Sequence, residues 1–184
     1  MKLKVGVSNR HIHLKKEDLN ILFGCDLIKD YDLSQSPNFA SKNYLTIKTD
    51  KSQIDNVRVI GPTRDYTQIE ISKTDAYKLG INPPYRSSGD LKDSSVVTLI
   101  GPKGSIETPG CIIADRHIHI TNEDKEKYNI KDKLFVKIDG IKRGIIEVNV
   151  KPSEIATFEL HLDTYDANAF MLKNGDEVEI IKNV

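Results

Sequence analysis

Ser8-Asn-Arg-His-Ile-His-Leu and Ala114-Asp-Arg-His-Ile-His-Ile are two copies of one pattern in a chain of 184 residues. Each is followed by a polar helix start carrying Glu-Asp, Glu17-Asp18 after the first and Glu123-Asp124 after the second. A second match runs without a gap, Val57 to Ala76 against Val148 to Ala167, at a constant offset of 91 residues (57 to 148). Its identities are few: Val57/Val148, Val59/Val150, Asp75/Asp166 and Ala76/Ala167. The match therefore rests on alternation of apolar and polar residues, and it sets Glu70 opposite His161. The chain reads as an internal duplication.

The segments around these motifs read mostly as short strands. Val57-Arg-Val-Ile-Gly-Pro, Val96-Val-Thr-Leu-Ile-Gly-Pro and Glu177-Val-Glu-Ile-Ile are β-branched runs, bounded by Gly, Pro or Asn-Gly. From Leu134 to Arg143 the sequence predicts a hairpin, with Asp139-Gly140 suited to a type I′ turn. Helices are few. Thr121-Asn-Glu-Asp has the form of a capping box, and Lys16 to Phe23 predicts the equivalent helix in the first half. Many short strands with glycine turns favour a mainly β protein built of small barrels capped by short α-helices.

Composition narrows the function. Lys+Arg and Asp+Glu are 27 each, so no overall field draws in nucleic acid or an anionic membrane, and an anionic ligand needs a local cluster. Two cysteines, Cys25 and Cys111, are too few for a disulfide framework and fit a reducing compartment. The opening residues turn polar too soon for a signal peptide. No apolar run approaches the roughly 20 residues of a membrane helix.

In a strand, residues i and i+2 share a face, so each His-X-His presents two imidazoles on one side. Such a pair can chelate a first-row metal that takes about four ligands. Gln68-Ile-Glu-Ile-Ser and Phe158-Glu-Leu-His-Leu-Asp also alternate, and they project Glu70 and His161. Two pseudo-equivalent metal sites follow: His11, His13 and Glu70 in one, His117, His119 and His161 in the other. All five histidines of the chain are used. The bland reading is a duplicated core strand whose imidazoles bond to backbone, which demands several buried imidazoles satisfied without function.

The halves are unequal. Arg64 lies six residues before Glu70, while its repeat partner is Ile155. A guanidinium near the first site suits phosphate or carboxylate, against the reading of a plain surface arginine. Asn82-Pro-Pro-Tyr-Arg-Ser-Ser-Gly is a rigid loop whose Arg86 could meet an anionic ligand, or it is simply a linker. Arg10 and Arg116 alternate away from the imidazoles beside them. Neither cysteine has metal-chelating spacing, and Cys111 is assigned to packing.

Taken together, Val-Ser-Asn-Arg-His-Ile-His-Leu, Gly-Pro-Thr-Arg, Thr-Gln-Ile-Glu-Ile-Ser, Asn-Pro-Pro-Tyr-Arg-Ser-Ser-Gly-Asp, Ala-Asp-Arg-His-Ile-His and Glu-Leu-His-Leu-Asp-Thr-Tyr-Asp-Ala-Asn resemble the phosphate propanoyltransferase family, collinearly from about Val5 to Ile181. These are phosphotransacylases associated with propanediol degradation in bacterial microcompartments. The resemblance implies two small β-barrels, one from residues 1–46 plus 111–184 and the other from 47–110, with the active site between them. It implies two zinc ions per chain, one on His11, His13 and Glu70 and one on His117, His119 and His161. Arg64 would be the phosphate-binding catalytic arginine, and Asn168, with Arg86 as a second candidate, would contact coenzyme A. The implied partners are acyl-CoA (propanoyl-CoA, with acetyl-CoA admitted) and inorganic phosphate; a homo-oligomer is allowed. The first motif starts close to Met1, leaving no N-terminal encapsulation extension, and this favours a cytoplasmic enzyme over one in the microcompartment lumen.

The reaction implied is acyl-CoA + phosphate ⇌ acyl phosphate + CoA, by direct attack of phosphate, since no Ser, Cys or Lys nucleophile stands in a motif. Two rivals remain. A dinuclear metallohydrolase of thioesters or phosphoesters would activate water instead, although the bridging aspartate of a His-X-His-X-Asp-His motif is missing. A metal-stabilised binding module would need no Arg64.

Overall fold

Apolar side chains at every second residue commit nearly half of the chain to strands, and the computed structural model describes residues 1–181. In chain order the elements are β1 (Lys2–Ser8), β2 (His11–His13), α1 (Lys16–Phe23), β3 (Lys29–Asp32), β4 (Phe39–Lys48), β5 (Gln53–Gly61), β6 (Gln68–Glu70), α2 (Lys73–Leu79) and β7 (Tyr85–Arg86). There follow β8 (Ser95–Ile100), β9 (Ser105–Ala114), β10 (His117–Thr121), α3 (Asn122–Lys127), β11 (Lys133–Ile138), β12 (Gly144–Ser153), β13 (Glu159–Asp163), α4 (Thr164–Phe170) and β14 (Glu177–Ile181). They form two units, Arg10–Ala114 and Met1–Asn9 together with the chain from Asp115 onward.

Each unit holds a closed six-stranded barrel. In the central unit the ring runs β4-β5-β2-β6-β9-β8, with β3 beside β4 and β7 beside β9. In the other it runs β1-β13-β10-β12-β11-β14. The two rings have the same plan. The His-X-His strand lies parallel to one neighbour (β2 to β5, β10 to β12) and antiparallel to the other (β2 to β6, β10 to β13). Registers agree to the residue, since His11 faces Arg58 and Glu70 while His117 faces Asn149 and His161. The duplication is therefore a property of the fold.

One strand in each repeat is exchanged. β9 leads into β10 as β1 leads into β2, so β1 and β9 are the first strands of their repeats. Yet β1 pairs with β13 and β14, and β9 pairs with β6 and β8. Each barrel is thus closed by the first strand of the other repeat. This corrects the expected boundaries. Residues 10–46 and 111–114, expected with the C-terminal half, belong to the central unit, because β2 and β4 pair with β5 of their own repeat and only the first strand crosses.

The alternation separates core from site. Ile12, Val59, Ile69 and Leu99 are fully buried in the central barrel, as are Val5, Val136 and Leu160 in the other, where Ile118 is almost so. The histidines on the same strands necessarily occupy the opposite face.

Short helices are set by their caps. α2 carries a reciprocal capping box between Ser72 and Asp75 and ends at Gly80, whose φ of 67° is the left-handed conformation glycine adopts most cheaply. α4 starts at Asp163, whose carboxylate accepts from the Asp166 N–H at 2.7 Å. Neither was expected from sequence, though Ser72-X-X-Asp75 and Asp163-X-X-Asp166 are the signals. α1 and α3 lie where expected. At α3 the Thr121 hydroxyl accepts from the Asp124 N–H at 3.1 Å, one half of the expected box.

The β11–β12 hairpin forms, but its turn does not. The ladder ends at Ile138 opposite Gly144, leaving residues 139–143 as the loop, and Gly140 has no positive φ. A two-residue turn at Asp139-Gly140 would have set Arg143 opposite Val136, on the core face. The observed register pairs Val136 with Ile146 and Leu134 with Val148. Core burial overrides local turn chemistry. Among the described residues no helix is long and apolar enough to cross a membrane.

Candidate functional site

The two three-ligand groups expected from sequence are assembled. One atom from each of His11, His13 and Glu70 lies within 4.8 Å of the other two, and the same holds for His117, His119 and His161. Pairing explains why. β2 and β6 set His11 directly opposite Glu70, β10 and β13 set His117 opposite His161, and the i+2 histidine completes each group.

The geometry fits a tetrahedral metal. Zinc–nitrogen bonds of 2.0–2.1 Å at tetrahedral angles imply ligand–ligand separations of about 3.3 Å. His117 Nε2 and His119 Nε2 are 3.1 Å apart, and His11 Nε2 lies 3.5 Å from Glu70 Oε2. Imidazole and carboxylate donors suit zinc. A metal held by only three protein ligands would keep a fourth position for substrate or water.

Each group is backed by further contacts. The Nδ1 of His117 lies 2.8 Å from the Asp115 carbonyl oxygen and 3.4 Å from its carboxylate, which leaves Nε2 as the lone-pair nitrogen facing His119. The Asn149 amide in turn donates to the Asp115 carboxylate. Burial, then the neighbouring His117 and His161, push the His119 imidazole down to about 2, so it stands as a neutral donor. Glu159 sits 2.8 Å from His161 Nε2. In the central unit Gln68 Nε2 donates to Glu70 at 2.6 Å. Asp115, Glu159 and Gln68 went unnoticed in the sequence. The alternation places Gln68 and Glu159 on the ligand face, each two residues before the candidate ligand it touches.

Arg10 and Arg116 do point away from the imidazoles. Arg10 binds the buried Asp75 at 2.8 Å, and Arg116 stands 3.4 Å from Asp166. These aspartates are repeat partners, so one ion pair recurs in both units. Burial opposes ionisation of Asp75, but Arg10 and the N–H and hydroxyl of Ser72 outweigh it and hold the carboxyl below its ordinary range. At Asp166 burial wins over Arg116 and raises it.

Arg64 is half-buried, and its N–H bonds the Leu14 carbonyl, next in chain to His13, at 2.9 Å. Its guanidinium makes two long contacts, to Tyr66 Oη at 3.5 Å and Ser88 Oγ at 3.4 Å. Among the described residues it has no carboxylate partner. Arg86 is engaged differently, with Asp90 at 3.6 Å, Asp93 at 3.7 Å and the carbonyls of Tyr85 and Lys92. Asn168 is exposed on α4. Cys111 is fully buried in the central core, and burial, then Asp75, push its thiol up to about 12. Its assignment to packing stands. Cys25 is exposed.

The family model for phosphate propanoyltransferase matches residues 4–173. The chain is 46% identical to the phosphate propanoyltransferase of Thermotoga maritima over 97% of its own length and 88% of that protein's. It is 46% identical to that of Priestia megaterium (94% and 82% covered) and 41% identical to that of Rhodopseudomonas palustris (97% and 81%). With two matching ligand clusters on duplicated barrels and relatives of this similarity along nearly the whole chain, the protein belongs to the phosphate propanoyltransferase family.

Proposed function

We propose that the chain transfers an acyl group between coenzyme A and inorganic phosphate, acyl-CoA + phosphate ⇌ acyl phosphate + CoA, acting on propanoyl-CoA and acetyl-CoA with two zinc ions per chain. The observation that carries this reading is Arg64, a guanidinium with no carboxylate partner among the described residues, anchored through its backbone beside His13 of the mixed cluster.

His11, His13 and Glu70 would hold one zinc and His117, His119 and His161 the other, and when bound these would supply Lewis-acid polarisation and affinity for a thiolate. Phosphate is a weak and heavily solvated nucleophile. Arg64 strips part of its water and orients it through a bidentate contact. A phosphate oxygen then bonds to the thioester carbonyl carbon, the tetrahedral intermediate collapses, the carbon–sulfur bond breaks and the thiolate leaves as CoA. No acyl-enzyme is needed. Cys111 is buried and held protonated. Asn168 and Arg86 are the proposed coenzyme A contacts, Arg86 exchanging its exposed Asp90 and Asp93 for a phosphate of the cofactor. A cytoplasmic location completes the reading.

The test is CoA release from acetyl-, propanoyl- and butanoyl-CoA, with and without phosphate, on protein of measured zinc content. Release that depends on phosphate supports the reading. Release independent of phosphate would make the protein a thioesterase, and no release at all a binding module.

A further inference from the structure

Gln68 is completely buried, yet its side chain is fully used. Its Nε2 donates to Glu70 Oε1 at 2.6 Å and to Ser88 Oγ at 2.8 Å, while its Oε1 accepts from the Gly89 N–H at 2.8 Å. The amide can take only one orientation, because Glu70 requires a donor and the Gly89 N–H an acceptor. Gln68 lies two residues before Glu70 on β6, on the same face. Ser88 Oγ is also where Arg64 Nη1 rests, at 3.4 Å. One buried amide therefore joins the carboxylate of Glu70 to the hydroxyl that meets the Arg64 guanidinium.

The other repeat has a counterpart of matched polarity. Glu159 occupies the position of Gln68 and approaches His161, an imidazole, where Gln68 serves a carboxylate. A donor supports the acceptor ligand, and an acceptor supports the ligand that can carry N–H.

We infer that Gln68 is a positioning residue that locks Glu70 as a ligand and, through Ser88, sets the guanidinium of Arg64 for phosphate. This rests on the acyl-transfer reading above. Losing the amide frees the Glu70 carboxylate to rotate and leaves Ser88 and the Gly89 N–H without their partner.

Two variants test it, with zinc affinity measured by chelator competition and KM measured for each substrate. Gln68→Met keeps the side-chain length and removes every polar contact. One of two zincs should weaken by about 10–100-fold, the phosphate KM should rise about tenfold, and the acyl-CoA KM should stay within about threefold. Ser88→Ala spares the bond to Glu70, so both zincs should hold while the phosphate KM alone rises about tenfold. If Gln68→Met does not fold, Ser88→Ala decides. Wild-type zinc affinity and phosphate KM in Gln68→Met, or an unchanged phosphate KM in Ser88→Ala, would overturn the coupling. A wild-type chain that binds no zinc, or releases CoA regardless of phosphate, removes the underlying reading and the coupling with it, before any variant is made.

Discussion

Gly6 faces His161 in the parallel register of β1 and β13, and a Cβ at residue 6 would stand 3.0 Å from the His161 ring. The floor of the histidine-only cluster is thus laid by the first strand of the other repeat. Its equivalent in the central barrel is Ile112, which faces Glu70.

Gly6→Val should displace His161 and weaken one zinc by about 10–100-fold, leaving the cluster of His11, His13 and Glu70 intact. Chelator competition against wild type reads this directly. Loss from the mixed cluster instead, identified by combining the change with His117→Ala and His119→Ala, would contradict the strand exchange.

Arg64→Ala should lower turnover by about 10²–10³-fold, the cost of removing one preorganised charge-stabilising group. Both zincs should remain, because Arg64 contributes no ligand. Metal analysis and initial rates on the same sample check the two halves of the statement.

Asp75 and Asp166 occupy matching positions but should titrate in opposite senses. The Asp75 carboxyl is held low, so its stabilisation is complete above the ordinary aspartate value of about 3.9 and is lost as pH falls through its lowered value. The Asp166 carboxyl is raised, so the folded chain binds that proton first, and stability declines as pH rises from the ordinary value through the raised one. At neutral pH Asp75→Asn removes the charge that faces the partly exposed Arg10 and weakens the α2 cap, at a cost of about 2 kcal/mol. Asp166→Asn should cost less than about 1 kcal/mol. Urea unfolding of both variants, at neutral pH and near pH 4, measures the contrast.

Thiol titration should separate the cysteines. Cys25 is exposed and should react promptly with a disulfide reagent near pH 8, whereas Cys111, buried and raised to about 12, should react only in denaturant. Cys111→Ala should retain most activity. Loss of turnover without loss of folding would revive a covalent acyl-enzyme.

The grouping of the candidate ligands was legible because it depends on local alternation and on one repeat offset. Both survive into the fold: His11 faces Glu70 and His117 faces His161, as the shift of 91 residues implies. The residues themselves did not show the strand exchange, although the resemblance set the N-terminal strand with the C-terminal half, where β1 lies. β1 and β9 have ordinary strand sequences, and nothing local says which barrel a strand will close. The misplaced boundary for residues 10–46 follows from that. The turn at Asp139-Gly140 failed for a different reason, since burial of Val136 and Ile146 fixes the hairpin register against the local turn signal. Gln68, Asp115 and Glu159 each stand two residues before the candidate ligand they touch, a spacing present in the sequence, but nothing in the alternation alone separates a supporting side chain from a solvated one.

The most direct measurement traps acyl phosphate as its hydroxamate while CoA release is followed, using zinc-replete protein and propanoyl-CoA. The expected result is one hydroxamate per CoA in the presence of phosphate and neither product in its absence. CoA released at an equal rate without phosphate, with no hydroxamate formed, would contradict acyl transfer to phosphate.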